Sequence, residues 1–540
     1  MRIDAIKLKL ENRLANDYYA SNPTIINHFD YSPYQIDVFN QRLNDLKERT
    51  FNRTELSDTL KSLNEEWGAP ESTFENIERL KIENSVVVIG GQQAGLLTGP
   101  LFTIHKIISI IQLAKQQEKL LGVPVIPVFW IAGEDHDFEE INHVFHPNGQ
   151  RMKKHKIRQH LTEKLPMSAL DIDKEEASIW LAELFGELPE TKYTSNLYQS
   201  IFNLLQASNT YVDFFARLIF NFFESEGLVL IDSGNSKVRG MESDFFCQLI
   251  NKQPKISERV FNTLQELRSA GYSLSVDVDE NEGHLFYHKN GERILLVKEG
   301  ELWVGKQGEC SFNTEELLAI AKESPELLSN NVVTRPLMQE YLFPSLAFIG
   351  GLGEVGYWSI LKPAFHELGM KMPPVFPRLS FTLIEPFVDK RLKRFGLEIE
   401  RAVKQGVELN KGNWLANQTN PPISLVAEQV KQAFDQAHLP LRHLASQLSP
   451  ALRDLSEKNL EYIYEDLAFL EKRLLKEVER KNKEAIQAFN YIQWSLRPQQ
   501  GLQERSWNVI PFLNKYGKSF IKDMLSYPLD LQEEHFLVYL

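Results

Sequence analysis

Hydrophobic positions switch period several times along the chain, and each switch marks an element. Ser85–Ile89 is an unbroken run of mostly β-branched apolar residues, as in a strand buried on both faces. Gly90, Gly91, Gly95 and Gly99 then break the run, and Pro100 suits a helix start. Apolar residues return at helical spacing over Leu101–Leu121 (Ile104, Ile107, Ile108, Ile111), and Gly122 suits a left-handed cap. Val125–Ile131 is a second buried run, ending in Gly133-Glu134-Asp135-His136-Asp137. This β-α-β order predicts two parallel strands with a right-handed crossover. Ligands of such sheets bind outside the carboxyl ends of the strands, where the glycine bend and the acidic cluster both fall.

The remaining chain extends the pattern. Residues 1–84 read as a charged, aromatic-rich helical lead-in. Residues 146–226 read as a helical insertion, with helices over Leu170–Gly186 and Asn196–Glu226. Leu228–Ile231 is a third short strand, and Lys237–Ala270 is helix-like. Between 272 and 309 the period becomes two, with strands expected at Ser275–Val278, His284–Tyr287, Arg293–Val297 and Glu301–Val304. Asn290-Gly291 signals a hairpin. Asn313 with Glu316 resembles a capping box. Ser345–Ile349 resumes the parallel sheet and runs into Gly350-Gly351-Leu352-Gly353, and Pro373–Phe376 is a fifth strand. The expected class is α/β: a Rossmann-like doubly wound parallel core over 85–384, carrying a small antiparallel meander. From 385 to 497 long charged helices take over. Leu460, Ile463, Leu467, Leu470 and Leu474 follow the 3-4 spacing of a coiled-coil seam, and Val478 arrives one residue late, as a stutter. An antiparallel arm of helices at about 385–410 and 453–496 is expected, followed by a compact cap over 498–540.

Composition narrows the function. The 540 residues are 43% hydrophobic and 25% charged, as in an ordinary globular protein, with room for about three domains. The net charge of −13 argues against nucleic acid as the main partner. Two cysteines, Cys247 and Cys310, cannot build a disulfide framework and fit a reducing cytoplasm. No apolar run reaches the roughly 18 residues of a membrane span.

Candidate chemistry gathers at the strand ends. The bend Gly90–Gly99 fits neither common nucleotide fingerprint: Leu96 stands where a P-loop has lysine, and the early glycines are adjacent. Gly90, Gly91, Gln92 and Gln93, with Gly350 and Gly351 in the second half, are candidates for holding an anionic ligand, against the plainer reading of tight turns. Glu134, Asp135 and His136 are candidates for acid–base work or ligand contact, against a solvated helix cap. Their spacing with His143 and His146 matches no standard zinc pattern, and no metal is assigned. Thr103 and His105 follow the first bend, and Glu354 and Trp358 the second; Trp358 competes with a core role. Arg378 and Ser380 follow the last strand and suit a phosphate or carboxylate. Arg335, before Pro336, is a candidate for the same role, against the plainer reading of a surface ion pair.

Several segments together carry a family resemblance: GGQQAGLLTGPLFTIHK, PVFWIAGEDHDFEEINHVF, TRPLMQEYLFPSLAFIGGLGEVGYW, MPPVFPRLSFTLIEP, LRPQQGLQER and YGKSF. They resemble the cysteine-adding enzyme family of bacillithiol biosynthesis over essentially the whole chain. The resemblance implies a ligase that joins L-cysteine to glucosaminyl-malate through an amide. It implies a Rossmann-like core related to class I aminoacyl-tRNA synthetases and a helical coiled-coil arm that makes homodimers. By the same analogy ATP or another nucleotide is the expected activator. The synthetase His-Ile-Gly-His signature would fall at Phe102-Thr103-Ile104-His105, where only the last position keeps its histidine, and no Lys-Met-Ser-Lys-Ser loop is seen. His105 is accordingly placed with Glu134, Asp135 and His136 among the catalytic candidates. The alternatives are a nucleotide- or NAD(P)-binding oxidoreductase and a non-catalytic dimeric scaffold.

Overall fold

The computed structural model describes residues 1–8, 12–148, 151–159 and 165–540. The chain divides into two compact units, one of residues 1–146, 153–383 and 503–540, the other of 147–152 and 384–502.

The first unit is built on five parallel strands: β1 (Val86–Gln92), β2 (Val125–Ile131), β3 (Val229–Asp232), β4 (Ser345–Gly350) and β5 (Val375–Pro377). Their order is β5-β4-β1-β2-β3. The sheet therefore grows one way from β1 and then the other, as in a doubly wound nucleotide-binding fold, with its switch point between β1 and β4. Strand residues such as Val87, Val88, Phe129, Leu230 and Ile349 are fully buried, which explains their continuous apolar runs. α1 (Phe102–Leu121) crosses from β1 to β2 and ends where Gly122, at φ +67°, gives its N–H to Glu118 O.

A second sheet is antiparallel and ordered Ser311–Asn313, Leu302–Gly305, Glu292–Glu299, Glu282–Lys289, Leu328–Asn330. Its hairpin turns at Asn290 and Gly291, both at positive φ. Asn313 and Glu316 form the capping box that opens the next helix. A third sheet joins Arg2–Ile6, His535–Tyr539 and Phe381–Ile384.

Five expectations need correction. The lead-in is not wholly helical, because Arg2–Ile6 pairs antiparallel with the C-terminal strand, a partner too distant in sequence to leave a local signal. The 146–226 insertion does not begin as helix: His143–Asn148 and Arg151–Lys156 form a two-stranded ribbon, while 160–164 lie outside the described residues. The long helix expected over Asn196–Glu226 is two, Thr194–Ala207 and Tyr211–Phe222, since Thr210 and Asp213 make a capping box that starts a new helix. Ser275–Val278 is irregular, and the sheet recruits Ser311–Asn313 and Leu328–Asn330 instead.

The fifth correction lies in the second unit. Residues expected to form one helix over 385–410 are split into Pro386–Arg394, Ile399–Gln405 and Glu408–Ala416. Gly396 and Gly406, both at positive φ, end the first two. The seam of α4 (Pro450–Lys481) packs instead on α3 (Ile423–Leu448). The pairs Asp435–Tyr464, His438–Asn459 and Arg442–Glu457 run in opposite directions along the two helices, so the pair is antiparallel. Leu460 is buried at the seam, whereas Leu470 and Leu474 stay exposed. No helix among the described residues is long and apolar enough to cross a membrane.

Candidate active site

β1 and β4 are parallel neighbours, with Phe348 opposite Ile89, so the two glycine bends leave the sheet side by side at its carboxyl rim. Close approach explains the glycines that begin each bend. A Cβ on Gly90 would lie 2.6 Å from Ile349 O, and one on Gly91 would lie 2.5 Å from Trp130 O. A Cβ on Gly350 would meet the Phe348 ring at 2.9 Å. A Cβ on Gly351, which N-caps α2 (Leu352–Trp358), would meet only Glu354 Oε2, at an ordinary contact distance of 3.4 Å.

Lys106 ties the bends together. It projects from α1 one turn after Thr103 and is 1% exposed. Its Nζ donates to Gly91 O at 2.5 Å, to Gln92 Oε1 at 3.2 Å and to Glu354 Oε2 at 2.5 Å. The same Glu354 oxygen accepts the Gly351 N–H at 2.7 Å. One ammonium and one carboxylate thus span the switch point. Burial pulls the Lys106 pKa down, and Glu354 opposes that pull. Sequence reasoning missed Lys106, although a lysine one turn into the helix after a glycine bend was a usable signal.

At the end of β2, Glu134 and Asp135 face three arginines from three different elements. Arg239 of helix Ser236–Met241 donates to Glu134 Oε2, and Arg335 of helix Thr334–Leu342 donates to Oε1 at 2.7 Å. Asp135 Oδ1 accepts from Arg335 at 2.8 Å and from Arg293 of the antiparallel sheet at 3.1 Å. Burial alone would raise the Glu134 pKa, but Arg335, Arg239 and Arg293 outweigh it and hold the carboxyl at about 2. Glu134 is therefore a fixed anion and a poor base near neutral pH. Two buried carboxyls behind it go the other way: burial raises Glu242 to about 7 and Asp232 to about 6. Asp137 caps the short helix Phe138–Ile141 through the Glu139 N–H, and His136 is half-buried beside it. The Tyr357 side chain lies within electrostatic reach of Glu354, Arg335 and Asp135, so the two groups share one rim.

A cleft of about 200 Å³ opens beside the first bend. Its lining includes Gln92, Gln93 and Thr103, His143 and Phe145 of the ribbon, and Ser506 and Asn508 of the C-terminal segment. Asn508 Nδ2 donates to Leu97 O at 2.8 Å and Gly99 O at 2.6 Å, pinning a bend in which Leu97, Thr98 and Gly99 all have positive φ. Gln93 Nε2 donates to Glu140 Oε2 at 2.7 Å. Burial lowers the His143 pKa, leaving a neutral imidazole at the cleft wall at pH 7.

Other sequence candidates are tied up elsewhere. His105 Nδ1 lies 2.8 Å from Glu504 Oε2, and Arg378 grips both Glu504 oxygens at 2.8 and 2.6 Å. His105 is 1% exposed and sits edge-on to Phe381. Glu504 is held well below the carboxylate range, because Arg378 and His105 outweigh its burial. Ser380 Oγ is 2.8 Å from His535 Nδ1 in the terminal sheet. Trp358 is a core residue, stacked between Phe348 and Phe365. Arg335, read from sequence as a surface ion pair, is instead a central member of the acidic strand end.

A nucleotide phosphate would need free N–H groups at the two helix starts. The Glu354 carboxylate already occupies the Gly351 N–H, and Trp507 O accepts the Leu101 N–H at 2.7 Å. Those two N–H groups are therefore engaged within the protein.

The parallel order, the twin bends at the switch point and the adjoining cleft define a Rossmann-like protein that also carries a helical coiled-coil unit. Residues 1–379 match the family described as "Bacillithiol biosynthesis BshC, N-terminal Rossmann-like domain", and 381–540 match its C-terminal coiled-coil domain. The chain belongs to the BshC family of bacillithiol biosynthesis. Relatives described as "Putative cysteine ligase BshC" include proteins of Oceanobacillus iheyensis (41% identical, all of both chains), Bacillus cytotoxicus (42%, 97% of both) and Bacillus licheniformis (39%, all of both).

Proposed function

We propose that the protein is a ligase that joins the carboxyl of L-cysteine to the amine of glucosaminyl-malate, forming the amide of bacillithiol. Full-length similarity to relatives described as cysteine ligases carries this reading. The cleft suits a small polar conjugate, with Gln92, Gln93 and Thr103 offering hydrogen-bonding groups. Arg335, partly exposed and aimed by the Glu134 carboxylate, is the positioning cation for a substrate carboxylate.

In the reaction the neutral amine attacks the activated carboxyl carbon. The C–N bond forms, the oxygen leaving group departs with its electron pair, and the nitrogen gives up a proton. His143 is the base in this reading, because it lines the cleft and is neutral at pH 7. Glu134 orients Arg335 and takes no proton.

Incubating the purified protein with L-cysteine and glucosaminyl-malate, with and without ATP, and assaying bacillithiol by mass spectrometry tests the reading. Product in the ATP arm alone establishes nucleotide dependence. Absence of product in every arm, together with protection by NAD(P) in thermal shift, overturns the ligase in favour of an oxidoreductase.

The arm is proposed to join two copies of the chain. Leu441, Leu444, Leu448 and Leu455 are 62%, 54%, 66% and 61% exposed around the α3–α4 turn, a liability for a lone helical hairpin. Light scattering on a sizing column gives the mass directly.

A further inference from the structure

The ribbon beside the cleft carries a second cluster of side chains that the ligation does not use. His146 on one strand and His155 on the other are 1% and 6% exposed, with ring centroids 5.7 Å apart and planes near perpendicular. Glu187, the last residue of helix Lys174–Glu187, brings Oε2 to 3.2 Å from His146 Nε2. One donor atom from each of the three residues lies within 4.8 Å of the other two. Around a tetrahedral zinc such atoms stand about 3.4 Å apart, so a small rotamer adjustment closes the set.

The surroundings favour a cation over a bare ion pair. His155 Nε2 sits 3.1 Å from Trp180 O, and its ring stacks on the Trp180 indole. A proton on Nε2 donated to that carbonyl leaves the lone pair on Nδ1, the arrangement that orients a metal-bound histidine. Lys153 Nζ donates to the other Glu187 oxygen at 2.6 Å, which fixes the carboxylate and holds its pKa below the ordinary range. The lysine also opposes a dication, so it limits affinity. Two imidazoles and one carboxylate are borderline donors that suit zinc or cobalt better than calcium or magnesium.

We propose that His146, His155 and Glu187 bind one divalent transition-metal ion of the zinc class. Three protein ligands leave a fourth position for water on the partly exposed Glu187 side. The ion clamps the ribbon to helix Lys174–Glu187. The ribbon also carries His143 and Phe145 into the cleft wall, so a bound ion stiffens that wall.

The test uses full-length protein stripped with a chelator, titrated calorimetrically with Zn²⁺, then loaded with Co²⁺ for visible spectroscopy. One equivalent of zinc is expected, with a rise in melting temperature and the d–d bands of four-coordinate cobalt. Glu187→Gln and His155→Gln each weaken binding at least about tenfold, and Lys153→Met strengthens it. Glu187 is surface-accessible, so its variant folds and keeps the test informative even where the buried histidine variant does not. No saturable binding, or unchanged affinity in Glu187→Gln, overturns the proposal.

Discussion

Replacing Lys106 by methionine should loosen the junction on which the crevice depends. The ammonium is buried and makes three contacts, at 2.5, 3.2 and 2.5 Å, two of them within the first bend and one to Glu354 beyond the switch point. Removing one member of a buried ion pair typically costs about 3–5 kcal/mol, because the other charge is stranded. Here Glu354 is a quarter exposed and retains the Gly351 N–H, so the cost falls at the low end, about 3 kcal/mol. The transition of the first unit in urea, followed by tryptophan fluorescence, should shift accordingly. Turnover should fall more than about tenfold, since misplacement of a site by 1 Å commonly costs about a hundredfold. Lys106→Met combined with Glu354→Gln should show a coupling of about 1–2 kcal/mol in a double-mutant cycle. An unchanged urea midpoint together with zero coupling would refute the reasoning, because the bends would then be held by something else.

Other expectations follow from the same geometry. Glu134→Gln should reduce turnover and destabilise by about 3 kcal/mol, since Arg335 and Arg239 lose a buried counter-charge; unimpaired kinetics would remove Glu134 from the site. Glu242 is a carboxyl whose folded pKa is raised, so its contribution is favourable at low pH and is lost as pH rises from about 4.5 through about 7. Glu242→Gln should therefore gain stability relative to wild type between pH 5 and pH 8, by up to about 3 kcal/mol, in melting curves at the two pH values. Gly91→Ala should lose about 1–3 kcal/mol against the Trp130 carbonyl, whereas Gly351→Ala, whose Cβ meets only a Glu354 oxygen at 3.4 Å, should lose less than about 1 kcal/mol; equal losses in denaturation would contradict the packing argument. Leu444→Glu with Leu448→Glu should convert a dimer to a monomer by light scattering without altering the melting of the first unit.

Local signals were the ones that could be read from the chain alone. The Val125–Ile131 strand, the Gly122 cap, the Asn290-Gly291 hairpin and the Asn313/Glu316 box each depend on residues within a few positions, and each forms. The adjacency of the two bends was legible because a doubly wound order leaves few alternatives. What sequence hid is long-range pairing. Arg239, Arg293 and Arg335 reach Glu134 and Asp135 across separations of 105, 158 and 201 residues, and Glu504 reaches His105 across 399. No periodicity announces such partners, so His105 looked available while its Nδ1 was engaged, and Arg335 looked peripheral. The arm shows the same division: the α4 seam was visible in its 3-4 spacing, but its partner helix was misassigned because two glycines cut the expected one.

The most direct measurement is a crystal structure of the protein soaked with glucosaminyl-malate. The account predicts density in the cleft against Gln92, Thr103 and Asn508, with a carboxylate toward Arg335. Density confined to the helical arm, or an empty cleft in a crystal whose enzyme is active, would contradict it.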